Sequence, residues 1–385
     1  MVEQPVGHMS WKRPATPYEQ FCEEQGVPIH RGMVGVYDTR DLARAPWKRM
    51  GGNGCIVDLN GTGGFQGIYV IEVPGGGALN AEKHLYEEVF YVLEGRGTTE
   101  IWVDGNPKRQ SFEWQKDSVF TAPLNTWHQI VNASSSPALL LVSSNAPPIM
   151  QVYQSEHFIF NTPYHFKDRY DLRDDYFKPW DEPTVIPLGQ EHDGRAINMG
   201  ALVPDAAHCE LPFDGQRGAG YRHFFVRLGG NFFWGFVSQY AAGRYSMCHA
   251  HPPGPVLVCL AGKGYTITWP KEAGTTPWKD GKGDLVQRVE YKAGGIASAA
   301  PGGADWFHGH FGASSEPFRI MAFLGGFPTR TYGNPGDLII GTNQDIKTGG
   351  NTIHYRDEDP QVRRMFEAAL EKDGASFNMP EEAYV

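Results

Sequence analysis

The stretch GGALNAEKHLYEEVFYVLEG, residues 76–95, decides the reading of this chain, because GRYSMCHAHPPGPVLVCLAG, residues 243–262, repeats its frame. Each copy runs from glycine through histidine to an apolar stretch and a closing glycine. Each then continues into a matching tail, GRGTTEIW ending at Trp102 and GKGYTITW ending at Trp269. Further on, each half carries a histidine after a tryptophan: APLNTWHQIVNASS around His128 and APGGADWFHGHFGASS around His308. A duplicated pair of histidine-bearing segments points to two metal-centred pockets in two similar domains.

Between and around these segments short strands dominate. GIYVIEV, VFYVLEG and ALLLVSS in the first half, and FWGFVSQY, VLVCLAG and FRIMAFLGG in the second, are apolar or alternating runs. The 47 glycines and 28 prolines punctuate them closely, the pattern of an antiparallel barrel or sandwich. Helices are few. Thr16-Pro17-Tyr18-Glu19 combines an N-cap, a proline at the first helical position and a capping-box glutamate, with Gly26 beyond. Asp359-Pro360 opens a helix whose Val362, Met365, Phe366, Ala369 and Leu370 make one apolar stripe, and a short helix is expected at 147–154. The expected organisation is an N-terminal extension at 1–50, a barrel at 51–146, an aromatic-rich strap at 147–200, a second barrel at 201–330 and a tail with a helix at 331–385.

Composition narrows the partners. A formal net charge of −10 disfavours nucleic acid and anionic membranes. The five cysteines are odd in number and lack paired spacing, which suits buried thiols in a reducing compartment. No apolar signal core opens the chain and no run of 18 apolar residues occurs, so a cytoplasmic protein acting on a small molecule is expected. The terminal helices could mediate a homo-oligomer.

The histidine spacing carries chemistry. Residues two apart on a strand share a face, so His249 and His251 project together into one barrel, where His308 from a neighbouring strand completes a facial set of three. In the first half Glu82, His84 and Glu88 share parity, so one strand could carry all three inward with His128 opposite. Two imidazoles with one or two carboxylates suit Fe(II), Mn(II), Ni(II) or Zn(II), with Fe(II) the leading expectation. Glu82 is a ligand, a proton carrier or a surface residue, and His310, two residues beyond His308, is a hydrogen-bond donor behind the ligands, a substrate contact or a residue at the barrel rim; both are the catalytic candidates. Barrels that kept these polar residues but lost their metal are the bland alternative. Arg222 and Arg244 flank the second set and are candidate carboxylate anchors, although surface roles suit them better.

These paired segments resemble the two motifs of the cupin superfamily. Gly76, His84, Glu88 and Gly95, then Pro123, His128 and Asn132, fall on the pattern in the first half, with Glu82 replacing the leading histidine and Asn125 a glycine. Gly243, His249, His251 and Gly262, then Pro301, Gly303 and His308, fall on it in the second, with Pro255 replacing glutamate and Gly312 asparagine. The resemblance implies an all-β fold of two tandem cupin barrels (double-stranded β-helix, or jelly roll) with a few peripheral helices, and a divalent transition metal held by His249, His251 and His308 and by His84, Glu88 and His128. The three-histidine set resembles that of gentisate-type dioxygenases, implying a non-haem Fe(II) enzyme for a small aromatic or enolisable carboxylic acid. In those enzymes, however, the working centre lies in the first barrel. The carboxylate-bearing set resembles the oxalate decarboxylase branch and implies a non-oxidative lyase, decarboxylase or isomerase, although the missing leading histidine and second glutamate depart from oxalate decarboxylase itself. A non-catalytic small-molecule binder is the third class.

Overall fold

In the computed structural model, residues 13–179, 184–186, 195–214, 217–232, 234–251, 255–302, 306–324 and 344–385 are described. Two jelly-roll units follow one another along the chain. In the first, the strands Gly52–Leu59, Gly67–Val73, Ala138–Ser144 and Glu88–Glu94 run side by side in a large sheet. A smaller sheet of Trp127–Asn132, Arg96–Trp102 and Arg109–Gln115 faces it. The second unit repeats the order with Arg222–Val226, Trp234–Tyr240, Phe318–Leu324 and Val256–Ala261 opposite His249–Ala250, Trp306–Gly312, Lys263–Pro270 and Gln287–Lys292. The glycines closing the two sequence repeats adopt the same left-handed conformation, Gly95 at φ +92° and Gly262 at φ +74°. A Cβ at Gly95 would lie 2.5 Å from that of Ala138, so a side chain is excluded there sterically as well as conformationally.

The apolar runs of the large sheets are buried on both faces, and parity assigns each residue to a layer. Phe90, Val92, Leu140 and Val142 join the interior of the first barrel. Their neighbours Val89, Tyr91, Leu139 and Leu141 point the other way and pack with Val256, Val258, Met321 and Phe323 of the second barrel. Leu257, Cys259, Ile320 and Ala322 then fill the second interior. The barrels therefore stand back to back, with an apolar layer between their large sheets. The small sheets alternate instead: His128, Ile130 and Asn132 are buried while Trp127, Gln129 and Val131 are only half-buried, as expected of strands with one inward face.

Two short strands cross between the units. Gly35–Val36 pairs with Ile296–Ser298 of the second, and Leu202–Val203 pairs with Val119–Phe120 of the first. The strap carries helices α2 (Ala146–Tyr153) and α3 (Glu156–Asn161), then packs Tyr170, Tyr176 and Phe177 on the first barrel. Its Arg169 bonds both Glu87 of the first barrel and Asn231 of the second, at 2.8 and 2.7 Å. The strap's Trp180, Asp181, Glu182 and Pro183 lie outside the described residues. The N-terminal helix α1 (Pro17–Glu24) forms its capping box through Thr16 and Glu19. The C-terminal helix α4 (Pro360–Lys372), capped by Asp359, lays Phe366 and Leu370 on the outer face of the smaller second sheet, against Tyr245, Ile267 and Phe311. All five cysteines are free. Among the described residues no helix is long and apolar enough to cross a membrane.

Two stability predictions follow from this packing. Leu141, fully buried between the barrels, should cost about 2–5 kcal/mol on truncation to alanine, read as a lower denaturant midpoint. The second concerns Glu358, which burial pushes up to about 8 despite its hydrogen bond from Tyr245 and the nearby Arg363, with Asp359 adding to the rise. A carboxyl that holds its proton more tightly folded than unfolded favours the native state fully below about pH 4.5, and that advantage drains away as pH climbs through 8. Glu358→Gln should therefore flatten the fall in unfolding free energy across that window; an unchanged slope would show that Glu358 ionises freely in the folded protein.

Candidate metal centres

The first centre is built where the chain enters the large sheet. Glu82 and His84 precede the strand Glu88–Glu94 rather than sharing it, so the expectation of one strand carrying Glu82, His84 and Glu88 is corrected. The segment is held instead by a backbone bridge: Glu82 and His128 each donate an amide to the other's carbonyl, at 3.0 and 2.9 Å. That bridge aligns the irregular segment with the facing sheet. Donor atoms of Glu82, His84, Glu88 and His128 all lie within 4.8 Å of one another.

The imidazoles are fixed by their far nitrogens. His84 Nδ1 lies 2.8 Å from the Tyr86 carbonyl, and His128 Nδ1 lies 3.2 Å from that of Thr126. A carbonyl only accepts, so Nδ1 carries the proton and Nε2 offers its lone pair inward. His84 Nε2 is 3.1 Å from Glu88, whose other oxygen accepts from the Tyr69 hydroxyl at 2.9 Å. His128 Nε2 is buried without a hydrogen bond, 3.8 Å from Glu82 and 4.0 Å from Glu88. Burial, reinforced by His84, holds His128 below the usual histidine range against the pull of both carboxylates. Glu82 behaves oppositely. Burial pushes its carboxyl up, but Arg49, His84 and His128 together bring it below the ordinary glutamate range.

In the second centre His249 and His308 face each other in register across two strands, and His251 follows just beyond. Ring centroids lie 4.4 Å apart for His249 and His308, 4.9 Å for His251 and His308, and 5.5 Å for His249 and His251. Their donor atoms, too, fall within 4.8 Å of one another. His249 Nδ1 points to the Met247 carbonyl and His308 Nδ1 to that of Trp306, at 2.8 and 3.3 Å, again turning Nε2 inward. Burial is the main cause that depresses both, His308 to about 3, and Arg217 adds to it. Neutral imidazoles are thus the stable form.

His310 is buried in the same barrel. Its Nδ1 meets the Thr266 hydroxyl at 3.0 Å, and its ring lies 5.5 Å from that of His308. Asn132 binds the Val73 and Ser136 carbonyls and shapes a turn. Pro301 is described, whereas Gly303 lies outside the described residues.

Both sets fit a divalent cation. Buried lone pairs of His128 and His308 converge with other donors and find no hydrogen among the described residues, an arrangement that is costly unless a cation accepts them. Two arginines that the sequence reading did not single out adjoin the centres. Arg49, in the turn before Gly52–Leu59, pairs with Glu82, while Arg217 is buried and bonds Thr352, which bridges to His249. Neither lies within the duplicated histidine segments, so the spacing of those segments offered no signal for them. The arginines that were considered sit elsewhere: Arg222 bonds the Leu211 carbonyl and Arg244 that of Asn378.

Residues 69–144 match the family model for the cupin domain, within the first barrel. A comparison with curated proteins finds no match. The chain is similar to a solved structure of oxalate decarboxylase, at 12% identity and TM-score 0.48, over 78% of this chain and 80% of that one. It is also similar to a point mutant of Bacillus subtilis oxalate decarboxylase, at 12% identity and TM-score 0.47, over 77% and 79%. A third similarity is to the Bacillus subtilis enzyme studied for its Mn(II) centres, at 13% identity and TM-score 0.47, over 78% and 80%.

Proposed function

We propose that this protein, two tandem cupin barrels in one chain, is a metal-dependent enzyme that transforms a small carboxylic acid without consuming oxygen, as a lyase, decarboxylase or isomerase. The supporting observation is the first centre, where an ionised Glu82 stands beside a set of imidazole and carboxylate donors and is held by Arg49. His84, Glu88 and His128 would hold one divalent metal, and His249, His251 and His308 another, of Mn(II), Fe(II), Ni(II) or Zn(II) character. Such an ion supplies Lewis acidity that polarises a coordinated carboxylate or enolate.

The chain's own groups account for the rest of the reading. Glu82 can carry a proton to or from a substrate carbon, because its oxygen is close to His128 but is not locked by Tyr69 as Glu88 is. The Tyr69 hydroxyl orients Glu88 and leaves its second oxygen facing His84. Tyr86 stacks on His84 with ring centroids 3.6 Å apart, and Phe160 of α3 closes over both rings. This aromatic cover shields the site from water and strengthens the charges inside it.

A second reading, non-haem Fe(II) dioxygenase chemistry, is favoured at the second centre by three neutral imidazoles with no carboxylate among them. Such a set leaves a metal its full charge and favours an anionic chelating substrate. His310 would then stand near the substrate as a hydrogen-bonding group fixed by Thr266.

Elemental analysis of protein purified without chelator should find about two divalent ions per chain, with His128→Ala losing the ion of the first barrel and His308→Ala that of the second. Wild-type protein that binds its ligand while free of metal would leave only the non-catalytic class. Turnover of small carboxylic acids should persist under argon and vanish in Glu82→Gln by about 10²–10⁴-fold in kcat; strict dependence on O₂ would instead favour the dioxygenase reading.

A further inference from the structure

We infer that Arg49 is the carboxylate anchor of the first centre, and that Glu82 occupies its guanidinium in the resting protein as a stand-in for the carboxylate of the substrate. This rests on the reading of the first barrel as a site for small carboxylic acids.

Arg49 lies outside both histidine segments, in the turn after the strand Ala45–Trp47, yet its guanidinium reaches Glu82. Three aromatic rings surround it: Phe21 of α1 at 5.6 Å, Trp47 at 5.7 Å and Phe160 of α3 at 5.7 Å. A guanidinium in such a setting needs an anion beside it, since a buried charge without one is strongly unfavourable. Glu82 meets that need.

The two carboxylates of the centre differ in how firmly they are engaged. Glu88 has a side chain 2% exposed and is held by Tyr69 and His84. The Arg49 and Glu82 side chains are 26% and 14% exposed, so the pair lies nearer solvent than Glu88. A planar guanidinium can exchange one carboxylate for another with little change in geometry. The exchange would also release Glu82 toward the metal donors and the reacting carbon. The rings of Phe21 and Trp47 are buried in the core and pack on the guanidinium itself, so the ligand is defined by the carboxylate that takes the place of Glu82, and its class is a small monocarboxylate.

The second barrel carries a guanidinium at a comparable place in the chain. Phe213 bridges to Arg222 much as Ala45–Trp47 pairs with the strand Gly52–Leu59, and Arg217 follows Phe213 as Arg49 follows Trp47. Arg217 is buried and bonds Thr352, whose backbone bridges to His249. A guanidinium at the corresponding turn of both halves is the expectation for two centres that each take an anion.

Calorimetric titration of the metal-loaded protein with benzoate, and with uncharged benzamide as control, tests this. Benzoate should bind at least about tenfold more tightly than benzamide. Glu82→Gln should tighten benzoate by about tenfold, Arg49→Gln should weaken it by about tenfold or more, and Arg49→Lys should fall between. In the Arg49→Gln background, Glu82→Gln should then gain nothing. Either of two results would overturn the inference: equal binding of benzoate and benzamide, because the carboxylate charge would then not be read, or a gain from Glu82→Gln that is the same in both backgrounds, because net charge and not exchange at Arg49 would be operating. If Arg49→Gln does not fold, Arg49→Lys binding benzoate no better than benzamide would overturn it equally. Metal content measured on the same samples separates the two levels: metal retained with no carboxylate preference sinks the anchor alone, whereas metal-free protein sinks the functional reading beneath it.

Discussion

The two-residue period of the β-strand is the constraint on which this molecule is built. In each large sheet, successive residues must face opposite sides, and both sides are apolar. One side closes a barrel around its own interior; the other is pressed against the neighbouring barrel. A single inserted residue in Ala138–Ser144 or Phe318–Leu324 would exchange the two layers along that strand. Because these strands are central, the error would reach both barrels at once. The same period brings His249 opposite His308, so the second centre inherits its register from the packing.

Each barrel then prepares its donors in the same way. Backbone carbonyls two residues away hold the Nδ1 protons of His84, His128, His249 and His308, and the opposite nitrogens turn inward. Burial keeps the imidazoles of His128, His249 and His308 neutral. From that shared arrangement the two centres diverge in charge. The first adds Glu82 and Glu88 with Arg49 beside them; the second, among the described residues, adds no carboxylate but has Arg217 and His310 close by. The duplicated fold therefore presents two electrostatically different environments to small anions. Arg169, bonded to Glu87 in one barrel and Asn231 in the other, fixes the strap that covers the first of them.

Much of this was legible along the chain. Capping residues placed α1 and α4, and the short helix expected at 147–154 is observed as α2 (Ala146–Tyr153), which has prolines in its first turn and no side-chain cap. Closing glycines at Gly95 and Gly262 marked equivalent turns, because positive φ is costly for any residue with a Cβ. Periodicity misled at one point. It assigned Glu82 and His84 to the strand of Glu88, whereas they occupy an irregular approach that a backbone bridge to His128 aligns. Parity cannot register a bridge between segments some forty residues apart.

What the sequence determined by itself was local and periodic: the duplicated β pattern, the few helices and the histidines that share a frame. Those features depend on steric preferences and side-chain alternation, which act between near neighbours. Tertiary structure alone decided which face of each large sheet meets the other barrel, and which arginines stand beside the donors. Arg49 and Arg217 come from turns with no periodicity, and Gly35–Val36 and Leu202–Val203 cross to the opposite barrel. Such placements arise from long-range packing and from the need of a buried charge for a counter-charge, neither of which spacing along a chain encodes.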